Sequence, residues 1–283
     1  MTALIIDVAE DVTAKLPQLK ACGVNTIFGY LSSINPNGGK CLTPSRVRAI
    51  AAAGMRVGLV HEGWGGVGGK GISAADGDRD GRYCRVQASV LGAPKGACVY
   101  FACDQDISPA QIAAMAIPYF HAIRAAFAGS GLRVGVYGSG AVCAAVIGAG
   151  FADLSWEAQS RGWTNYSAWL GKADLIQGTE QVLAGLDVDT DTARGDIGDY
   201  VPTFAEKMEQ TNVATQAEYT AVANAILKVI DGEIATDVPG WAQGMIPAGL
   251  APSLAGACAK TAVDTLDAFR ASETQLQPKE AAP

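Results

Sequence analysis

The sequence predicts an α/β protein built as a (β/α)8 barrel of the TIM type, with a helical extension at its C-terminal end. Over residues 1–200, short apolar runs alternate with helical patterns. Apolar residues make up 49% of the chain, and its 34 glycines permit many tight loops. Strands that alternate with helices form a parallel sheet with right-handed crossovers. Eight predicted repeats favour a closed barrel, and the absence of GxGxxG after the first strand argues against a dinucleotide-binding fold.

The elements follow one another in a regular order. Strands are predicted at 3–6, 25–28, 56–60, 97–103, 133–137, 154–158, 174–177 and 186–188. Helices are predicted between them at about 11–22, 44–53, 78–91, 109–128 and 141–147. Thr43 before Pro44 and Ser108 before Pro109 are N-caps followed by a first-turn proline, a pattern typical of helix starts.

From residue 201 the alternation gives way to helical patterns alone. Thr203 and Glu206 have the spacing of a capping box. Helices are predicted at about 203–231 and 253–271, and the final QLQPKEAAP is typical of a disordered tail. We therefore divide the chain into a barrel, 1–200, and a helical appendage, 201–283, whose helices are the expected surface for a protein partner.

Composition excludes several classes of function. The net charge of −7 and the lack of a Lys/Arg cluster argue against nucleic-acid binding. No uninterrupted apolar run of about 18 residues is present, so membrane insertion is not expected. The seven cysteines form no CxxC pair and are expected to be buried free thiols of a reducing compartment. The opening MTALIIDVAEDV lacks the features of a signal peptide, so the protein is expected to be made in the cytoplasm without one.

Acidic residues recur where the predicted strands end. Asp7 follows the first strand, Glu62 the third, and both Asp104 and Asp106 the fourth. Asp187 and Asp189 lie at the eighth. In a barrel of this type the active site lies at the carboxyl ends of the strands, so these acids are expected to meet at one mouth. Residues two apart on a strand share a face, which allows each Asp-x-Asp pair to point the same way.

A ring of carboxyl groups suits the hydrolysis of glycosidic bonds. That reaction needs one carboxyl group as acid and a second as base or nucleophile. Crowding separates their pKa values through like-charge repulsion. The predicted catalytic residues are Asp7, Asp104, Asp106 and Glu62. The predicted substrate-binding residues are Tyr30, Trp64, Tyr137, Asp187 and Asp189, the aromatic ones by stacking on sugar rings.

Metal and cofactor chemistry is not expected. The segment DGDRDG, 76–81, resembles the start of an EF-hand, but Gln87 stands where calcium needs a bidentate Glu. These acids are expected at the start of a helix instead. With only two histidines, a zinc site or a Ser-His-Asp triad is hard to build.

Several segments resemble one known family. VYFACDQD, 99–106, resembles the "IYFAVDxD" strand of the glycoside-hydrolase-like family called domain of unknown function 1906. VGVYGSGAVC, 134–143, closely matches the strand and turn that follow in that family. SWEAQSRGW, 155–163, resembles its "TWLAQSxGW" segment, and LDVDTD resembles its "VDLN" ending. The resemblance covers about 1–195.

The resemblance implies a relative of the family-25 lysozymes, which are barrel muramidases. It implies that Asp7, Asp104 and Asp106 lie at the catalytic mouth. Asp106 would be the general acid, and Asp104 or Asp7 the base or electrostatic stabiliser. Gln159, in the Ala-Gln-Ser segment, is predicted to bind substrate. Those lysozymes carry Asp-x-Glu where this chain has Asp-x-Asp, which shortens the second side chain by about one C–C bond, and a shift of about 1 Å can cost roughly 100-fold in rate.

Three functions remain open from these residues. The first is a glycoside hydrolase acting on bacterial peptidoglycan, like a lysozyme or endolysin, at the cell envelope or within a phage-like particle. The second is an inactive carbohydrate-binding or structural module of a larger assembly, with the appendage as its docking segment. The third is an enzyme that acts on another glycan.

Overall fold

The structure is a computed structural model that describes residues 4–31, 41–64 and 72–203, with the backbone alone at 63 and 64. The predicted appendage from 204 onward lies outside the described residues, so the predicted division of the chain stays a prediction. The side chain of Trp64 also lies outside what is described. Among the described helices, none has the length and apolar character needed to cross a membrane.

Eight strands form a closed barrel in sequential order, which confirms the predicted fold. The strands are β1 Leu4–Asp7, β2 Val24–Tyr30, β3 Arg56–Trp64, β4 Cys98–Cys103, β5 Arg133–Gly138, β6 Leu154–Glu157, β7 Leu175–Leu183 and β8 Leu186–Ala193. Each apolar run predicted from the sequence corresponds to one of them. A predicted strand is too short where polar residues continue the strand past its apolar part. This is the case for β7, which was predicted at 174–177 and extends to Leu183.

Helices cover the outside of the strands. They are α1 Leu16–Ala21, α2 Pro44–Ala52, α3 Ala74–Val90, α4 Pro109–Gln111, α5 Ile117–Ala126, α6 Gly140–Gly148 and α7 Tyr166–Trp169. A π-helical turn, Ile112–Ala116, joins α4 to α5. Ser73 and Asp76 form a capping box at the start of α3, so this helix begins earlier than predicted and contains the segment that resembles an EF-hand.

The direction of β8 corrects the expectation of an all-parallel sheet. Strands β1 to β7 pair in parallel, but β8 runs antiparallel to both β7 and β1. The reason is the connection between β7 and β8. Only Ala184 and Gly185 separate the strands, both at positive φ (54° and 80°), and a two-residue turn joins antiparallel strands whereas a parallel pair needs a long crossover. Asp187 and Asp189 therefore lie near the start of β8 and not at its end.

Residues 196–200 close the opposite end of the barrel. The hydroxyl of Tyr100 donates to the carbonyl of Ile197 at 3.0 Å. The carboxylate of Asp199 accepts from Arg56 and Thr26, both at 2.7 Å. Tyr200 pairs with Val57 through two backbone hydrogen bonds and is 2% exposed. This segment is part of the core, although its sequence gave no strand or helix pattern.

The described cysteines are all free thiols. Cys22 is exposed and the others are buried. They fill space between strands and helices like other small apolar side chains.

Candidate active site

Polar side chains form a ring at the carboxyl-terminal mouth of the barrel, which we call the mouth ring. Phe28, Tyr100 and Trp156 pack inside the barrel below it. Alternate residues of a strand share a face. The last inward positions therefore follow from the residue of each strand that packs in this inner cluster, namely Ile5, Phe28, Val60, Tyr100, Tyr137, Trp156, Leu175 and Ala193. The mouth ring consists of Asp7, Tyr30, Glu62, Asp104, Tyr137, Gln177 and Asp189.

The charges that act on Tyr30 and Tyr137 show that the ring members lie near each other. Burial is the main cause that raises the pKa of Tyr30, and the charges of four acids add to it. These acids are Asp7, Glu62, Asp104 and Asp189. Burial likewise raises the pKa of Tyr137, with Asp104, Asp7, Tyr30 and Asp189 adding to the shift. The tyrosines therefore stay neutral and present their hydroxyl groups and ring edges among carboxylates.

Gln177 connects the two ends of the ring where β8 closes the barrel. Its Nε2 donates to Asp7 Oδ2 and to Asp189 Oδ2, both at 3.2 Å. Its Oε1 accepts from the hydroxyl of Tyr137 at 2.9 Å. Asp7 is 6% exposed and Gln177 is 8% exposed. The antiparallel pairing sets this arrangement, because Asp7 lies opposite Asp189 between β1 and β8.

A further carboxyl group lies below the ring. Asp191 is 7% exposed, and its Oδ1 accepts from Trp156 Nε1 at 3.0 Å. Its Oδ2 has no hydrogen-bond partner. Burial raises the pKa of Asp191 well above its usual range, and the charge of Asp7 raises it further. The surroundings of Asp191 therefore favour its protonated form.

Asp189 occupies the accessible edge of the same group. It is half-buried, and burial followed by the charge of Glu180 raises its pKa. The hydrogen bond from Gln159 Nε2, at 3.4 Å, acts in the opposite direction. A carboxyl group that keeps its proton more readily than an ordinary aspartate and is reached from solvent has the properties of a general acid.

Three predicted residues lie outside the mouth ring. Gln159 is exposed but reaches the ring through its hydrogen bond to Asp189. Asp106 is exposed, and its two carboxylate oxygens accept from the amide and the hydroxyl of Thr164, at 3.0 and 3.1 Å. Asp104 directly follows the end of β4 at Cys103, but Asp106 lies in the loop beyond it, so the period of two that predicted its direction no longer applies there. Asp187 is exposed on the β7–β8 hairpin opposite Val182. Asp187 lies on the hairpin and not at the end of a strand because β8 runs antiparallel to β7.

Sequence reasoning missed Gln177 and Asp191 as members of the site. Asp191 has the same parity on β8 as Asp189, so the alternation rule would have found it once the strand was known to continue. Gln177 was predicted as the last residue of its strand. It was not selected as a site residue because the selection looked for acidic and aromatic side chains, and an amide is neither.

Within 4–31, 41–64 and 72–203, no three His, Cys, Asp or Glu side chains are grouped as metal ligands.

Similarity to known proteins agrees with this geometry. The family model of the Rv2525c-like, glycoside hydrolase-like domain matches residues 17–218. The uncharacterized protein YbfG of Bacillus subtilis is 30% identical over 182 residues, covering 60% of this chain and 24% of that protein. The match thus spans about a quarter of the length of that curated relative.

Two solved structures share the fold. The Tat-secreted protein Rv2525c of Mycobacterium tuberculosis, crystallised with HEPES, has a TM-score of 0.60 at 21% identity, covering 70% of this chain and 98% of that one. An uncharacterized protein of B. stearothermophilus has a TM-score of 0.52 at 20% identity, covering 68% and 95%.

The secretion of Rv2525c corrects the expected localisation. We expected a protein made in the cytoplasm without a signal peptide, but this structural relative is a Tat-secreted protein, so that expectation is wrong. It rested on residues that include β1, Leu4–Asp7. The residues of β1 are part of the barrel, so their composition reflects burial in it.

The family model confirms the glycoside-hydrolase-like resemblance that the strand-end motifs predict. It covers most of the barrel, including all of the mouth ring except Asp7. The chain belongs to the family of Rv2525c-like, glycoside hydrolase-like domains.

Proposed function

We propose that the mouth ring is the active site of a glycoside hydrolase that cleaves the glycan strands of bacterial peptidoglycan. The observation that carries the proposal is the pair formed by Asp7 and Asp189, two carboxyl groups on one bridging amide in unlike environments. Glycoside hydrolysis needs two such groups, one protonated and one ionised.

The environments assign a role to each carboxyl group. Asp189 is the general acid, because its pKa is raised and it is reached from solvent. Asp7, buried beside it, is the base or nucleophile. Asp104 and Glu62 supply negative charge that stabilises the positive charge developing on the sugar ring in the transition state. Tyr30 and Tyr137 line the wall that the sugar contacts.

This assignment differs from the one that the resemblance implied. Asp106 was the expected acid, but both of its oxygens are engaged by Thr164. Asp189 carries the acid role at lower cost, since its environment already favours the protonated form.

Peptidoglycan is the proposed substrate for two reasons. The sequence resembles the family-25 lysozymes, and a structural relative, Rv2525c, is a Tat-secreted protein. A secreted domain encounters cell-wall glycans.

The test is the release of reducing sugar from purified peptidoglycan between pH 4 and 8. We expect the wild type to release sugar, and Asp7→Asn or Asp189→Asn to lower the rate by about 10²–10⁴-fold, the range for loss of an acid or base. Asp78→Asn is the matched control, since Asp78 is a partly exposed aspartate of α3 that pairs with Arg82. Circular dichroism checks that every variant is folded. A folded wild type that releases nothing would remove the hydrolase proposal for this substrate.

A second candidate, glycan binding without hydrolysis, is favoured by one observation. The second acid of the Asp-x-Asp strand is engaged by Thr164 and is one methylene shorter than the glutamate of the lysozymes. If this candidate holds, we expect calorimetry to detect binding of peptidoglycan fragments and the sugar-release assay to detect no hydrolysis. Asp7→Asn would then alter only the affinity.

A further inference from the structure

We propose that Gln177 is a positioning residue that holds the carboxyl groups of Asp7 and Asp189 as one unit at the barrel mouth. The kinetic consequence rests on the proposed function. The structural consequence, a change in the Asp189 titration when the bridging amide is removed, does not.

The hydrogen bonds leave Gln177 one orientation. A primary amide has two N–H donors on its nitrogen and an acceptor on its oxygen. The nitrogen lies 3.2 Å from one oxygen of each aspartate, so each carboxyl group takes one N–H. The oxygen accepts from Tyr137 at 2.9 Å. The oxygen also accepts from the backbone N–H of Gln159 at 3.4 Å. Turning the amide over would place its oxygen against two carboxylates and its N–H groups against this backbone N–H, so the bonds to Asp7, Asp189 and Gln159 would be lost.

This arrangement sets the separation of the two acids. Because both oxygens lie 3.2 Å from one nitrogen, they cannot be farther apart than twice that distance. The two aspartates are 182 positions apart in the sequence, on strands that meet only where the barrel closes. Gln177 comes from the third strand of that junction and is itself buried, so the pair is held from the side by a side chain that cannot move freely.

The neutral amide is the group that the site needs at this position. A glutamate would add a negative charge beside Asp7, Asp189 and Asp191, and like charges at this range oppose one another. A leucine would leave two carboxyl groups facing each other with no donor between them.

The variants are chosen to separate positioning from folding. Gln177→Leu removes the donors, and Gln177→Glu replaces them with a carboxyl group of the same shape. Tyr137→Phe keeps the ring but removes the hydroxyl that orients the amide, and it serves if either Gln177 variant fails to fold. Gln181→Leu is the control, since Gln181 is an exposed glutamine of the same strand.

The first readout needs no enzymatic activity. Carboxyl ¹³C resonances of the aspartates are followed by NMR as pH is varied, with Asp7 and Asp189 assigned through their Asn variants. We expect Gln177→Leu and Gln177→Glu to move the Asp189 titration to higher pH, Tyr137→Phe to move it less, and Gln181→Leu to leave it unchanged. An unchanged Asp189 titration in folded Gln177→Leu would overturn the proposal, whether or not the wild type is an enzyme.

The second readout is kinetic and applies to an active wild type. We expect Gln177→Leu to lower kcat by about 10–100-fold, since a misplacement of about 1 Å has a cost of this order. KM should change little, and the pH optimum should move upward. An unchanged kcat and pH profile would contradict a positioning role. If the wild type releases no sugar, the proposed function fails, and the NMR titration alone decides the role of Gln177.

Discussion

At the scale of single residues, Glu157 is a carboxyl group buried in unfavourable surroundings away from the mouth ring. It follows the inward Trp156, so it points out of the barrel toward the first turn of α6, where Gly140 and Cys143 lie. It is fully buried, and neither of its oxygens has a hydrogen-bond partner of good geometry. Leucine occupies this position in the "TWLAQSxGW" pattern of the family.

The titration of Glu157 makes stability depend on pH. Burial raises its pKa from 4.5 to about 7, with the amide of Gly140 opposing the shift. The folded state therefore binds a proton more tightly than the unfolded state. Its contribution to stability is fully present below about pH 4.5 and is lost as pH rises through 7. The loss is at most about 3 kcal/mol.

We expect Glu157→Leu to remove this dependence. Urea unfolding at pH 5 and pH 8 should show a wild type that is less stable at pH 8, and a variant whose stability changes much less between the two. Glu10→Gln, at an exposed position, should keep the wild-type difference. Equal pH dependence in wild type and Glu157→Leu would show that the buried carboxyl group is not its source.

At the scale of elements, two glycines allow α3 and α5 to approach closely. A Cβ added at Gly77 would lie 2.2 Å from the backbone oxygen of Tyr119, and one at Gly81 would lie 2.8 Å from Ala126 Cβ. The close approach lets the hydroxyl of Tyr119 donate to the buried Asp80 at 2.9 Å. His61 Nε2 lies 3.3 Å from the same carboxylate, at ion-pair distance, and so connects the helices to β3.

We expect Gly77→Ala to destabilise the protein by roughly 2–3 kcal/mol, because the contacting atom belongs to the backbone and cannot rotate away. Gly148→Ala is the matched control. Gly148 is also helical, but an added Cβ there meets nothing within 4 Å, so alanine should be neutral or stabilising by up to about 1 kcal/mol. Thermal unfolding of both variants measures the difference. Similar melting temperatures would mean that α3 and α5 adjust at little cost.

At the scale of the whole molecule, the barrel depends on a segment after its last strand. Ile197 packs with the inward residues of the strands, and Tyr200 packs between strands and helices. Gly198 approaches β4 so closely that a Cβ would lie 2.2 Å from Cys98 Cβ. The end of the barrel opposite the mouth ring is therefore closed by residues that follow β8.

Two truncations test this. We expect a chain ending at Thr203 to unfold cooperatively, because every core residue of the described barrel precedes that position. A chain ending at Gly195 should be strongly destabilised, since it loses Ile197, Tyr200 and the Asp199 acceptor of Arg56. Denaturant unfolding by circular dichroism compares them. If both truncated chains were equally stable, the closing segment would not be part of the core.

The sequence by itself determined the number, order and approximate limits of the strands, because burial imposes apolar runs and helix starts require caps that short-range patterns reveal. It also placed Asp7, Tyr30, Glu62, Asp104 and Tyr137 at strand ends, since the period of two along a strand is local. Only the tertiary structure decided the direction of β8, which a two-residue turn reversed, and with it the pairing of Asp7 with Asp189. It also decided that Gln177 bridges the two and that Asp106 turns to Thr164. These contacts join residues far apart in the chain, and their geometry depends on barrel closure, which no local pattern encodes.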